Sequence, residues 1–198
     1  INNTIQKSKI YKELGVPVAE FGTRRRHSYD VQKLVVETLC RHAGKSFVGT
    51  SNVHFAMLSN TKPIGTHAHE WFMFHGAKYG FKMANALSLE HWVDVFRGDL
   101  GVALSDTYTN DVFFQQFEKK FAKLFDGVRH DSGDPVEYTS KVIAHYQQLN
   151  INPLFKYIIF SDGLNTEKVT EITEATKGAI GISFGIGTNL TNDVGLQP

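Results

Sequence analysis

What the chain lacks narrows it first. It has a single cysteine, Cys40, so no internal disulfide and no paired-cysteine metal site can form. That usage suits a reducing compartment, and a cytoplasmic location is the expectation. No apolar run reaches the length of a membrane span, and no basic, apolar and small-residue leader opens the chain. Neither charge dominates: 21 Lys+Arg against 20 Asp+Glu leave a formal charge of +1. That excess is too small for bulk binding to a phosphate backbone, so neither nucleic acid nor membrane is an expected partner, while a small local anion site stays open. With 41% hydrophobic residues, 17 glycines and only 5 prolines, the 198 residues read as one globular domain rather than a disordered or collagen-like chain. A starting Met is also missing: the chain opens Ile1-Asn2-Asn3, which reads as a piece of something larger.

What is present is a recurring unit. Short apolar runs are followed by polar or Gly-rich residues and then by a helical pattern, about seven times along the chain. The runs end near Phe21-Gly22-Thr23, Phe47-Val48-Gly49-Thr50, Pro63-Ile64-Gly65-Thr66, Ala103-Leu104-Ser105-Asp106, Gly127-Val128-Arg129-His130-Asp131, Ile158-Ile159-Phe160-Ser161-Asp162 and Gly181-Ile182-Ser183-Phe184-Gly185. Unbroken apolar runs suit strands covered on both faces of a parallel sheet.

Between them, Val31, Leu34, Val35 and Leu39 form one apolar helix face, and Phe114, Phe117, Phe121, Leu124 and Phe125 a second, with Asn110 as its expected N-cap. Asp134-Pro135-Val136-Glu137 is a helix start, Asn165 a cap for a helix through Val169 and Ile172, and Gly178 its stop. The stretch from Glu70 to Arg97 reads as mostly helical, and no helix pattern follows the last strand. The alternation predicts an α/β architecture with a parallel sheet, either an open doubly wound sheet or a barrel.

In both versions ligands gather at the C-terminal ends of the strands. There the chain places Thr23-Arg24-Arg25-Arg26, Thr50-Ser51-Asn52, His67-Ala68-His69-Glu70, Asp106, Arg129-His130-Asp131-Ser132-Gly133, Asp162-Gly163 and Gly185-Ile186-Gly187-Thr188-Asn189. Guanidinium groups suit phosphate or carboxylate, although a basic triplet is also ordinary solvated surface. The two glycines before Thr188 let backbone N–H groups approach a phosphate. Leu190 stands where a dinucleotide fingerprint needs a third Gly, and no Gly-Lys-Ser/Thr of a P-loop follows.

His67 and His69 could share a metal ion in a barrel hydrolase, but only His130 is available as a further His ligand at a later strand end. Alternatively Asp106 orients one imidazole for proton or nucleophilic chemistry. Asp106, Asp131 and Asp162 suit Mg²⁺, ribose hydroxyls or an imidazole, whereas Asp134 is assigned to helix capping.

Five blocks in order carry a resemblance: Glu20-Phe21-Gly22-Thr23-Arg24-Arg25-Arg26, Gly49-Thr50-Ser51-Asn52-Val53, Pro63-Ile64-Gly65-Thr66-His67-Ala68-His69-Glu70-Trp71, Arg129-His130-Asp131-Ser132-Gly133-Asp134-Pro135 and Phe184-Gly185-Ile186-Gly187-Thr188. Together they closely resemble the nicotinate phosphoribosyltransferase family, from about Ala19 onward. The resemblance implies an irregular, TIM-like α/β barrel of the type II phosphoribosyltransferase kind, here incomplete over residues 1–198 because family members are longer at both ends. It implies transfer of phosphoribosyl from phosphoribosyl pyrophosphate to nicotinate, giving nicotinate mononucleotide and pyrophosphate for NAD synthesis. ATP hydrolysis would be coupled through a phosphorylated His, with Mg²⁺ carried on the substrates, in a homodimer with a composite site.

By the same resemblance His69 matches the phosphorylated histidine and Asp106 an acid beside it, while His67 falls at a variable position. Phe21 matches the aromatic that stacks on the pyridine ring, and Arg24 an arginine of the pyridine and phosphate site. Arg129, Asp131 and Ser132 belong to the block that holds the ring's substituent and the ribose. Asp162 and Gly163 match the ribose-phosphate loop, and Gly187 and Thr188 the 5′-phosphate cradle. Thr50 and Ser51 are substrate-binding matches, and neutral Ser51 stands where nicotinamide-using relatives carry an Asp, which favours the acid as substrate. Set against this are a quinolinate-using relative, disfavoured by the Thr66–Trp71 block, a His67/His69 metal hydrolase, and an inactive structural fragment of the transferase.

Overall fold

Apolar runs bounded by polar turns become strands, and six of them do so: β1 Val18–Glu20, β2 Phe47–Thr50, β3 Val102–Leu104, β4 Gly127–His130, β5 Tyr157–Phe160 and β6 Gly181–Ile186. In the computed structural model, which describes residues 1–176 and 178–195, every residue of β1 and of β3 is buried. That is the signature expected of strands covered on both faces. The helices are α1 Asn2–Leu14, α2 Tyr29–His42, α3 Val53–Leu58, α4 His69–Tyr79 and α5 Phe81–Phe96, then α6 Asn110–Gln116, α7 Lys119–Leu124, α8 Pro135–Gln148, α9 Thr166–Thr176 and α10 Thr188–Thr191.

The chain divides into two compact units. The first comprises Ile1–Gly65, Phe160–Ala175 and the described residues from Ile182 onward. In it β1 lies between β2 and β6, parallel to both, with Val18 opposite Phe47 and Phe184. Val36, Leu39, Phe55, Phe160, Phe184 and Ile186 fill its core, Phe160 and Phe184 stacked at 5.8 Å between centroids.

The second unit is Thr66–Ile159 with the described residues of 176–181. In it β3 pairs parallel with β4, with β5 on the far side of β4. Phe72, Leu89, Leu104, Phe113, Phe117, Phe125 and Val128 are fully buried there, each large side chain contributing roughly 1.5–3 kcal/mol. Among the described residues no helix is long and apolar enough to cross a membrane.

Several boundaries follow local chemistry as expected. Asp134 accepts hydrogen bonds from the N–H groups of Val136 and Glu137 at 2.9 and 2.8 Å, with Pro135 as the first residue of α8. Asn165 accepts from the Lys168 N–H at the start of α9, and Gly178 takes a left-handed φ of 78° just beyond its end. The helical stretch from 70 to 97 breaks once, at Gly80, whose φ is 85°.

Others differ. The seventh expected strand, at Pro63–Thr66, is a single bridge between Thr50 and Pro63. Thr50 N–H donates to the Lys62 carbonyl at 3.1 Å and Ile64 N–H to the Thr50 carbonyl at 3.0 Å, but the next amide on the β2 side, Asn52 N–H, turns to Thr50 Oγ1 instead of extending the ladder. The single helix expected over Phe114–Phe125 is two, α6 and α7. Glu118 between them is extended, with ψ 175°, and the break lets Phe113, Phe117, Phe121 and Phe125 all enter the core. Thr109, not Asn110, accepts from Val112 N–H as the α6 cap. In α2, Leu34 is exposed, and Gln32 and Thr38 share the buried face with Val35, Val36 and Leu39. The last strand does lead into a helix, the single turn α10. Helix α1 was not expected, because the residues it buries are Thr4, Ser8 and Tyr11 and show no apolar stripe.

Candidate active site

In the second unit the polar residues after β3 and β4 converge on His69, the first residue of α4. Its Nε2 lies 3.1 Å from Asp106 Oδ1 and 3.9 Å from Asp131 Oδ2. A carboxylate only accepts, so in the neutral ring Nε2 carries the proton and Nδ1 the lone pair. The imidazole is 38% exposed while the Asp106 side chain is 8% exposed, so an almost buried acid orients an accessible ring. The other oxygen of Asp106 accepts a 2.5 Å hydrogen bond from the Ser132 hydroxyl. Arg129 links the pieces. Its Nη2 is 2.9 Å from Asp131 Oδ2, and its Nη1 donates to Thr66 Oγ1 at 3.0 Å and to the His67 carbonyl at 3.3 Å.

Beneath these strand ends lies a polar hub that the sequence did not announce. Ser105, 1% exposed, places its hydroxyl 2.7 Å from both the Tyr138 hydroxyl and Asn110 Oδ1. Tyr138 is buried, which pushes its phenol well above the ordinary range and keeps it a neutral donor, here to the Arg129 carbonyl. Serine and tyrosine inside predicted elements carry no periodic mark, so only the fold reveals them.

His67 does not join His69. Its ring is 1% exposed and packs against Trp92 at 4.2 Å, Phe72 at 5.7 Å and Phe125 at 5.6 Å. Among the described residues neither ring nitrogen has a hydrogen-bond partner, and burial lowers the imidazole to about 3. Nor do any three described His, Cys, Asp or Glu side chains gather as a metal site. The shared-metal reading of His67 and His69 is therefore corrected: two residues apart at the end of an extended segment, they face different surroundings.

The first unit holds the remaining candidates. Phe21 follows β1, half-buried, with its ring over Gly185 of β6. A Cβ at Gly185 would overlap Cδ2 and Cε2 of the Phe21 ring, so only glycine admits the ring there. Gly187 lies beside the Phe21 carbonyl and leads into Thr188, the half-buried first residue of α10. Arg24 and Arg25 are exposed on a short 3-10 turn, Thr23–Arg25, whereas Arg26 is tied by its Nη1 to Gln32 Oε1 at 2.9 Å. Asp162 and Gly163, the latter with φ 53°, form a bend after β5. Ser51 is exposed after β2. Thr50 is fully buried; its hydroxyl donates to Glu20 Oε2 at 2.5 Å and accepts from the Asn52 N–H at 3.1 Å.

Comparison with known proteins shows the family. Residues 16–197 match the sequence profile of the nicotinate phosphoribosyltransferase (NAPRTase) family. A nicotinate phosphoribosyltransferase of Chromohalobacter salexigens is 63% identical over 195 residues, covering 98% of this chain and 50% of that protein. The crystal structure of a nicotinate phosphoribosyltransferase from Porphyromonas gingivalis superimposes with a TM-score of 0.96 at 49% identity, over 98% of this chain and 51% of that one. One from Vibrio cholerae gives 0.91 at 44% identity, covering 98% and 47%. The chain thus spans about half the length of the relatives it matches.

Proposed function

Because the chain belongs to the nicotinate phosphoribosyltransferase family, we propose that the protein carrying it transfers phosphoribosyl from phosphoribosyl pyrophosphate to nicotinate. The observation that carries the reading is the His69 imidazole, oriented by a nearly buried Asp106 within a stretch that matches the family throughout. In the reaction the pyridine nitrogen forms a bond to the anomeric carbon as the bond to pyrophosphate breaks, its electron pair leaving with the pyrophosphate. Positive charge grows on the sugar and negative charge on the leaving group, so preorganised donors are worth most there.

The roles divide as the residues do. Phe21 stacks on the pyridine ring, and Arg24 faces its carboxylate or the phosphate. Neutral Ser51 leaves the carboxylate unopposed. Asp162, Gly163, Gly187 and Thr188 hold the ribose-phosphate. In the second unit Arg129, Asp131 and Ser132 serve the ring's substituent and the ribose while also bracing the histidine. His69 takes the γ-phosphoryl of ATP on Nδ1, and ADP leaves. Hydrolysis of that phosphohistidine, which holds roughly −2 charge, returns the imidazole and inorganic phosphate and biases binding and closure.

Mg²⁺, carried on the substrate phosphates, supplies charge neutralisation; the Asp106 and Asp131 carboxylates are the acids beside His69 that would meet it through water. The irregular barrel, the homodimer and the cytoplasmic location belong to the same reading. Assay of this chain beside a family-length protein that contains it tests the proposal. Nicotinate mononucleotide formed only by the longer protein fits a catalytic unit that needs its remainder. No product from either would refute the reading.

A further inference from the structure

The acceptor that organises the first unit's site lies inside it, one residue before Phe21. Glu20 is 0% exposed, and three neutral donors converge on its carboxylate. The Gly22 N–H donates to Oε1, Gln32 Nε2 donates to Oε2 at 2.9 Å, and the Thr50 hydroxyl donates to Oε2 at 2.5 Å. Gln32 is equally buried and uses its whole amide. Its NH₂ reaches Glu20 and Thr23 Oγ1 at 2.8 Å, and its oxygen accepts from Arg26 Nη1 at 2.9 Å and Asn52 Nδ2 at 3.3 Å. Two buried side chains thereby fix the turn after β1 (Gly22, Thr23 and Arg26) and the turn after β2 (Thr50 and Asn52). Between those fixed points sit the exposed Arg24 and Ser51.

We propose that Glu20 and Gln32 are positioning residues that set the nicotinate-facing geometry of Arg24 and Ser51 through a donor–acceptor polarity running one way. This rests on the transferase reading for its kinetic readout only. The direction of the hydrogen bonds makes it testable. An isosteric Glu20→Gln cannot be accommodated by rotation. Its NH₂ would oppose either the Gly22 N–H, which cannot reverse, or the Gln32 NH₂. Flipping Gln32 to meet it would turn its NH₂ onto Arg26 and Asn52. Gln32→Glu sets two carboxylates against each other at 2.9 Å. The exchange Glu20→Gln/Gln32→Glu restores the sense of the link. The amide introduced at position 20 then donates to the carboxylate introduced at position 32, and its oxygen still accepts from Gly22. That carboxylate in turn accepts from Arg26, Asn52 and Thr23, and only the Thr50 hydroxyl loses its acceptor.

The experiment uses the family-length protein, measuring nicotinate KM, kcat and amide hydrogen exchange at Gly22 and Asn52. Each single variant should raise nicotinate KM about tenfold or more with kcat within about threefold, and should speed exchange at both amides by at least about tenfold. The exchanged pair should recover to within about threefold in KM. A double variant as impaired as the product of the singles, or a Glu20→Gln protein with unchanged KM and exchange, would overturn the proposal. If a single variant does not fold, Thr50→Val, which deletes one donor and keeps the side-chain shape, must raise KM and speed Asn52 exchange, or the proposal fails. A wild-type protein that does not turn over nicotinate would refute the transferase reading alone. The exchange measurements would still decide the role of Glu20 and Gln32.

Discussion

His69 donates from Nε2 to Asp106 Oδ1 across 3.1 Å, and the Asp106 carboxylate is itself held by the Ser132 hydroxyl on its other oxygen. A tautomer is thereby selected, and with it the nitrogen that is free to react. Incubation with γ-labelled ATP should give an acid-labile label on Nδ1 that vanishes in His69→Ala. Label persisting in that variant would remove His69 from the reaction.

Asp106→Asn tests the same relationship from the other side. An amide can present its NH₂ to the ring, drawing the lone pair to Nε2 and leaving the proton on Nδ1. Phosphorylation of His69 should slow by about 10²-fold or more, with little change in fold stability. Single-turnover labelling rates read the effect, and a rate within a few-fold of wild type would count against it.

Ser51→Asp should weaken nicotinate binding by about tenfold, because a second carboxylate would face that of the substrate. The KM for phosphoribosyl pyrophosphate should hold. Nicotinate kinetics indistinguishable from wild type would show that Ser51 does not set the choice of acid over amide.

Gly185→Ala adds one methyl group where the Phe21 ring leaves no room. The ring must move, at about 1–3 kcal/mol of stability, and nicotinate KM should rise with it. A variant with wild-type thermal stability and KM would mean that Phe21 is not seated as described.

For His67 the sign of the pH effect is fixed by its burial. The folded imidazole titrates at about 3, the unfolded one near the ordinary 6.5. Above about pH 6.5 the residue contributes no slope. As pH falls from there toward 3, the unfolded chain takes up a proton that the folded one refuses. Stability then drops by about 1.4 kcal/mol per pH unit. His67→Phe should remove that slope, read as the difference in urea midpoints between about pH 7.5 and 4.5. Parallel profiles for the two proteins would contradict the buried, neutral assignment.

Much of this was legible in the chain because it is written in local chemistry. The Asp134-Pro135 helix start, the Asn165 cap and the polar residues after apolar runs all report interactions within a few residues of themselves. The order of the five family blocks carried the functional reading. What was not legible depends on partners far along the chain. Thr50 reads as a rim hydroxyl until Glu20, 30 residues earlier, claims it. Helix α1 buries a threonine, a serine and a tyrosine, so no apolar period betrays it. Pro63 and Ile64 have the composition of a strand end, but the bridge to Thr50 goes no further because the Asn52 N–H is taken by the Thr50 hydroxyl.

The segment from Thr66 to His69 finally bears on how sequences of this kind are sorted. Its two histidines have the spelling of a binuclear metal motif, yet one is packed among aromatic rings and the other is hydrogen-bonded to Asp106. At position 67 the main chain does the bonding, through its carbonyl to Arg129 and its N–H to Val102, so those contacts place no demand on the side chain. Any residue that fills the space among Phe72, Trp92 and Phe125 should serve. A survey that groups chains by His-x-His spacing would gather this one with hydrolases, and would then discard its own relatives wherever position 67 has drifted to phenylalanine or leucine. Position 69 is the one to search by.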